Sequence, residues 1–207
     1  MGSNTLRMAV LLSELKRQMN GAVADGMRYY GDRYGLNYGV SLPTIRTLAK
    51  AEGCEHSYAR LLSQQQVREL VLCSYWIADA EQIATKDELD FWARSIINSE
   101  LAQEAAFALF SHVEGVVDWL QSDNQLLQYC ALMSLAKGER LDLERYSDRI
   151  AQMVGCGTNL VVHGVITLLD TASKYVERHE MVAQIMAKFP DTPVADEIRD
   201  ELAWRML

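Results

Sequence analysis

The side chains best suited to chemistry in this chain of 207 residues are its four histidines and four cysteines, and their spacing forms no recognisable metal or catalytic site. His179 and Glu180 begin like a zinc-protease motif, but Ala183 stands where the second histidine is required. Cys156 lies between two glycines, as in a catalytic elbow, yet no strand is predicted before it, and a turn that ends a helix explains the pattern better. The sequence also lacks a glycine-rich phosphate loop. It therefore predicts neither a metal nor a cofactor.

A different chemistry, the stacking of nucleic-acid bases on aromatic rings, is indicated near the N-terminus. Four tyrosines occur close together in a region that also carries several basic residues. Rings interleaved with basic side chains are typical of surfaces that bind single strands. The same rings could instead pack the first helices of the fold, and both interpretations stay open. The tyrosines are Tyr29, Tyr30, Tyr34 and Tyr38, and the basic residues are Arg28, Arg33, Arg46 and Lys50.

The elements that must position these residues are helices. Four segments share a pattern in which a short polar start leads into an Ala/Leu/Val-rich stretch; they are residues 67–76, 104–110, 127–135 and 162–170. Paired helices that recur every few tens of residues are the signature of an α-solenoid, in which neighbouring repeats bury each other's apolar faces. We therefore predict an all-α fold, an α-solenoid of HEAT-like (ARM-type) repeats in a single domain over residues 1–207. An irregular helical bundle is the alternative.

Local signals place several helix boundaries. A first amphipathic helix is predicted over Leu6–Met19. Pro43 suits the first turn of a later helix, where its missing N–H costs nothing. The capping-box spacing that begins at Thr85 should open a helix to about Asn98, and Thr192 with the proline after it should start the last helix. Second helices of two repeats are predicted over residues 141–154 and 175–189.

The N-terminal region resembles the signature of the DNA alkylation repair (AlkD-like) family. The resemblance rests on the aromatic entry, on the segment Asn37-Tyr38-Gly39-Val40-Ser41-Leu42-Pro43, and on the following helix with Arg46, Leu48 and Lys50. It implies a solenoid of HEAT-like repeats. For several members of that family it also implies a glycosylase activity, which excises alkylated bases in DNA repair and needs no cofactor.

The positions that carry this chemistry in the family differ here. The pair Thr85-Lys86 matches, and Asp90 falls on the first of two acids, but Ala93 falls on the acid that carries the reaction. An alanine cannot stabilise an oxocarbenium-like transition state, which needs preorganised negative charge. Asp90 and Trp92 could serve in a shifted register; otherwise Asp90 is a solvated helix acid and Trp92 a core residue.

The same divergence occurs downstream. Tyr129 stands where the resemblance implies a groove arginine, and Thr167 and Asp170 stand where it implies a tryptophan and an arginine. An aspartate at a phosphate position repels DNA. His163, on an apolar helix, is interpreted as a packed or groove histidine and not as a metal ligand.

The charge distribution restricts nucleic-acid binding further. The net charge is −8; residues 1–60 hold eight basic and five acidic residues, whereas residues 61–207 hold 12 basic and 23 acidic ones. Because phosphate neutralisation supplies most nonspecific affinity, any binding to DNA should be weak and should involve the N-terminal end.

Together these observations predict a HEAT-repeat protein that is not catalytic and uses a concave surface to bind a protein or nucleic-acid partner. The alternative is an alkylpurine DNA glycosylase with a rearranged site, for which Asp90 and Trp92 are the catalytic candidates. With no CxxC pair, no apolar leader and no apolar run long enough for a membrane, we expect a cytoplasmic protein with reduced thiols and no membrane partner. The candidate partner-binding residues are Arg28, Arg33, Tyr38, Arg46, Lys50, Tyr129 and His163.

Overall fold

The computed structural model describes residues 3–30 and 34–206, except for the side chain of residue 205. In these ranges the regular structure is helical, apart from one isolated parallel bridge between Leu36 and Val67. No helix there is long and apolar enough to cross a membrane. The contacts fall into two compact units, residues 1–109 and residues 110–207, and each is described by itself.

The first unit contains seven α-helices in the described ranges. They are α1 (Ser3–Arg17), α2 (Gly21–Tyr29), α3 (Leu42–Glu52), α4 (His56–Ser63), α5 (Arg68–Ile77), α6 (Lys86–Ala93) and α7 (Ser99–Ala105). Helix α5 is central, since nine of its ten residues are buried and α3, α4 and α7 all pack against it. A helix that is buried on nearly every side must be surrounded by other elements, so α5 forms the centre of the first unit.

Residues 37–40, which precede α3, are held on both sides by hydrogen bonds. Asn20 donates its backbone N–H to the carbonyl of Tyr38 at 2.8 Å, while the N–H groups of Tyr38 and Val40 donate to the carboxylate of Glu69 at 3.1–3.3 Å. Gly39 has a φ of +69°, and a Cβ there would come within 2.1 Å of the carbonyl oxygen of Asn20. The backbone therefore needs glycine at this position for its conformation and for space.

The second unit is built around α8 (Gln125–Lys137), which the 3₁₀-helix Glu114–Gln121 and helix α10 (Asn159–Ser173) flank. Gly164 allows a close approach of α10 to α8, because a Cβ there would lie 2.9 Å from a methyl group of Leu132. The unit also contains α9 (Ser147–Cys156), α11 (His179–Ala187) and α12 (Pro193–Ala203), with short 3₁₀-helices over Glu144–Tyr146, Val176–Arg178 and Trp204–Met206. The residues that directly follow α7, Ala106–Phe110, form a single π-helical turn.

Three predicted helix starts are confirmed and several predicted boundaries are corrected. The first helix, predicted over Leu6–Met19, spans Ser3–Arg17. Pro43 lies in the first turn of α3, and the side chains of Thr85 and Thr192 cap α6 and α12. Helix α6 ends at Ala93 and does not reach Asn98, because the side chain of Asn98 caps α7 instead, accepting from the N–H of Leu101 at 2.9 Å. The α-helices predicted from residues 141 and 175 begin at 147 and 179, each after a 3₁₀ turn.

Candidate nucleic-acid interface

Four side chains from three helices of the first unit meet in what we call the Trp76 cluster: Arg46, Lys50, Trp76 and Glu104. The guanidinium of Arg46 donates to both carboxylate oxygens of Glu104, with Nε at 3.1 Å from Oε2. The indole Nε1 of Trp76 donates to the same Oε2 at 3.3 Å. The ring of Trp76 also lies near two cations, with its centroid 5.0 Å from Nζ of Lys50 and 5.5 Å from Cζ of Arg46.

The sequence produces this cluster through helix geometry. Arg46 and Lys50 are four residues apart on α3, so their side chains share one face. Trp76 belongs to the last turn of α5 and Glu104 to the last turn of α7. Since α3 and α7 both pack on α5, the three helices bring these positions together.

The electrostatics of the cluster leave one net positive charge. Glu104 is 2% exposed, and a buried carboxylate is tolerated when charged and polar donors satisfy it, as Arg46 and Trp76 do here. The hydrogen bond to Glu104 raises the pKa of Arg46, so the arginine stays charged. Lys50 is exposed and forms no ion pair with any described residue. A half-buried indole beside a free ammonium can stack on a base while the ammonium contacts a phosphate.

A buried ion pair supports the segment that precedes α3. Arg68 donates from Nη1 to the carbonyl oxygen of Val40 at 2.9 Å and to Glu69 at 3.1 Å, and it binds Glu100 through Nε at 2.7 Å and Nη2 at 2.5 Å. Burial alone would lower the pKa of Arg68, but hydrogen bonding and charge attraction from Glu100 raise it overall. The start of α3 is therefore held by charged, fully paired groups.

Two of the predicted partner-binding residues lie together in the second unit. The rings of Tyr129 on α8 and His163 on α10 are stacked, with centroids 6.3 Å apart and planes 29° apart. Tyr129 is 2% exposed, whereas His163 is exposed. Tyr129 thus packs beneath the histidine, and His163 is the member of this pair that faces solvent. Thr167 and Asp170 follow on the same helix, where Asp170 is 3.9 Å from Lys174.

The N-terminal tyrosines separate into two groups. Tyr29 and Tyr30 are 84% and 86% exposed and meet edge to face at 5.3 Å. Tyr38 is only 9% exposed, with Nζ of Lys16 lying 5.7 Å from its ring centroid, so the structure gives its ring a packing role. Arg28 is exposed and pairs with Asp25 at 3.1 Å. Arg33 lies outside the described residues.

The two catalytic candidates do not share a site. Trp92 is fully buried and packs near the rings of Tyr75, His56 and Phe91 in the core of the first unit. Asp90 is exposed on the same helix. Residues two apart on a helix point in different directions, and a buried indole cannot reach a substrate, so the structure supports packing for Trp92 and solvation for Asp90.

The sequence predicts Arg46 and Lys50 as site residues, but not Trp76 and Glu104. One signal could have found Glu104, the one acid of the Ala/Leu/Phe-rich stretch over residues 104–110. A carboxylate inside an apolar helical pattern needs a cationic partner, and Arg46 was available on another predicted helix. No local pattern marks Trp76 as different from the core aromatics.

Comparison with solved structures supports the fold. The chain is similar to a structure from a family described as new, related to the HEAT-like repeat DNA glycosylases and with affinity for branched DNA structures. The TM-score is 0.74 at 16% sequence identity, and the match covers 96% of this chain and 95% of the other. No family model and no curated protein matches the chain. The fold is therefore all-α and of the HEAT-like repeat type, which confirms the prediction, and the resemblance seen in the N-terminal residues is confirmed at the level of the fold.

Proposed function

We propose that this chain is a DNA-binding HEAT-like repeat protein without glycosylase activity, and that it recognises branched DNA. The observation that carries the proposal is the half-buried ring of Trp76, which lies near the cationic side chains of Lys50 and Arg46. The similarity in fold to a protein with affinity for branched DNA structures adds support. Branched DNA exposes base faces at the branch point, and an indole can stack on such faces.

The proposed contact surface is the face of the first unit to which α3, α5 and α7 contribute the Trp76 cluster. We propose that a partner binds on this face, as it would on the concave face of stacked helical repeats. His163, the exposed member of the second ring pair, is the candidate contact in the second unit.

The proposed binding is weak, and it depends on whether the DNA is branched. Glu104 offsets the charge of Arg46, so the Trp76 cluster contributes one net positive charge, in a chain whose net charge is −8. Each neutralised phosphate contributes about 0.9 to the slope of log K against log salt. A surface with few free cations therefore gives a small salt slope, and stacking at the branch point must supply the selectivity.

The absence of excision follows from the same residues. Glu104 accepts a hydrogen bond from the Trp76 indole, but Arg46 occupies both of its oxygens. A carboxylate held in this way faces its arginine and not a sugar. The alternative, a glycosylase with a rearranged site, requires Glu104 or Asp90 to approach a substrate directly.

Fluorescence anisotropy with a four-way junction, a fork, a linear duplex and a single strand, at low salt, tests the proposal. The branched substrates should bind more tightly than the duplex, and Lys50→Gln should weaken that binding several-fold. The matched control is Lys137→Gln, since Lys137 is likewise an exposed lysine in the last turn of a helix. Equal losses in both variants would show that general charge and not the Trp76 cluster binds DNA. If no DNA binds even at low salt, the proposal fails and a protein partner becomes the better hypothesis.

A further inference from the structure

A cleft of about 560 Å³ lies in the first unit, away from the residues of the Trp76 cluster. It is bordered by the turn between α4 and α5, by the end of α6 and by Tyr34 and Gly35. This volume is within the usual range for small-molecule sites.

The charge of the lining is unusual for this chain. The described residues that line the cleft include two arginines, Arg68 and Arg94, and no carboxylate, although the chain has 28 acidic residues. A cleft lined by one sign of charge concentrates ions of the opposite sign. The lining therefore favours an anion.

The two arginines have different roles. Arg68 is almost fully buried, and Glu100 binds it through two hydrogen bonds, so its charge is already offset. Arg94 is exposed at the end of α6 and has no hydrogen bond or ion pair with any described side chain. Arg94 is thus the free cation of the cleft.

The rest of the lining suits a planar group attached to that anion. Phe91 lines the cleft, and the guanidinium of Arg60 lies 3.7 Å from its ring centroid, which holds the ring in place. The hydroxyl of Tyr34 is tied to Glu100 and to Asn98, so this second aromatic wall is also fixed. Gln64 and Gln66 add exposed amides, which both donate and accept hydrogen bonds, as the edge of a nucleobase requires.

We propose that this cleft binds a single nucleotide, with the phosphate on Arg94, the base against Phe91 and Tyr34, and its polar edge on the glutamine amides. A free mononucleotide and the terminal nucleotide of a DNA strand offer the same chemistry. The proposal goes beyond the DNA binding proposed above and does not depend on the Trp76 cluster.

Calorimetric titration of the full chain with the four deoxynucleoside 5′-monophosphates, with a nucleoside and with inorganic phosphate provides the test. At least one mononucleotide should bind saturably with a dissociation constant below about 1 mM. The nucleoside and inorganic phosphate should each bind more weakly. Arg94→Gln should weaken the binding about tenfold or more, because it removes a charge-assisted hydrogen bond.

Ile97 offers a second variant that should not disturb folding, since it lines the cleft yet is 58% exposed. Ile97→Glu should repel the phosphate. Ile97→Gln should not, because glutamine has the shape of glutamate without its charge. The proposal is overturned if no mononucleotide binds, or if binding is unchanged by both Arg94→Gln and Ile97→Glu. Lys50→Gln should leave mononucleotide binding intact, so failure here is distinguishable from failure of the DNA-binding proposal.

Branched DNA distinguishes the two sources of the nucleotide. If a strand end enters the cleft, a fork with free 5′-phosphate ends should bind more tightly than one whose ends are closed by hairpins, and Arg94→Gln should abolish that difference. If the ligand is a free nucleotide, the two forks should bind equally and the mononucleotide should still titrate.

Discussion

Arg46 and Glu104 are 58 residues apart in the chain, yet the guanidinium of one covers both carboxylate oxygens of the other. The pair joins α3 to α7 across the end of α5, and Trp76 completes it with its indole N–H. The same ion pair therefore holds helices of the first unit together and forms part of its candidate interface.

Removal of either partner should therefore affect stability as well as binding. Arg46→Gln leaves the buried carboxylate of Glu104 without its charged donor, and we expect a loss of about 1–3 kcal/mol in the free energy of unfolding. The control is Arg28→Gln, which breaks the exposed pair with Asp25 and should change stability by less than about 0.5 kcal/mol. Urea denaturation followed by circular dichroism measures both, and similar small losses would show that the Arg46–Glu104 pair contributes little.

The glycines of the first unit provide a second stability test. Gly39→Ala should cost more than Gly53→Ala, although both residues have positive φ, at +69° and +77°. At Gly53, where ψ is 178°, a Cβ meets nothing within 4 Å, so the change carries only backbone strain of about 1–3 kcal/mol. At Gly39 the Cβ also clashes with Asn20, and the N-terminus of α2 must move. Thermal unfolding of the two variants would contradict this expectation if their midpoints fell equally.

The thiols should divide by burial. Burial raises the pKa of Cys73 to about 12 and also raises that of Cys130, while Cys54 and Cys156 are exposed. Ellman's reagent at pH 8 should therefore titrate two thiols in the native protein and four after unfolding, with Cys54→Ser and Cys156→Ser each removing one fast thiol. Burial and the nearby Asp79 and Glu81 also raise the pKa of Cys54.

The pKa of Cys73 has a consequence for stability at high pH. Because the folded-state pKa exceeds the unfolded value near 9, the folded protein retains a proton that the unfolded chain has lost. Stability is unaffected below pH 9 and falls between about pH 9 and pH 12, by about 1.4 kcal/mol per pH unit for this group. Cys73→Ala should make the alkaline unfolding profile shallower in that window, and an unchanged profile would contradict the assignment.

Base excision should be undetectable. Purified protein incubated with duplex or branched DNA that contains N-methylated purines should release no free base, because Ala93 cannot act as an acid and Glu104 is bound by Arg46. Release that is abolished by Asp90→Asn or by Glu104→Gln would select the glycosylase with a rearranged site.

The sequence predicts those features that depend on neighbouring residues. The caps at Thr85 and Thr192 and the proline at the start of α3 are local, and they are where the sequence places them. The length of α6 depends on a competition that the local pattern does not reveal, because Asn98 is a better cap for α7 than a final residue of α6.

The candidate site is less predictable because it is assembled from distant segments. Arg46 and Lys50 could be identified from composition and spacing, but their partners depend on which helices pack on α5. The exposure of a single ring is equally hard to predict. Tyr38 is buried, whereas Tyr29 and Tyr30, in the same region of the sequence, are exposed. The N–H groups of Tyr38 and Val40 donate to Glu69, and that long-range contact leaves no trace in the local pattern.

The length of helix α5 sets the distance between the two proposed sites. Arg68 lines the nucleotide cleft at its first residue, and Trp76 belongs to the Trp76 cluster near its last. Eight residues of α-helix rise by about 12 Å, which is roughly the axial length of three to four nucleotides along one strand of B-DNA. If one strand occupied both proposed sites, the helix would act as a ruler, setting the number of nucleotides between a strand end in the cleft and the base stacked on Trp76. Forks that differ only in the length of a single-stranded arm would then bind best at one length.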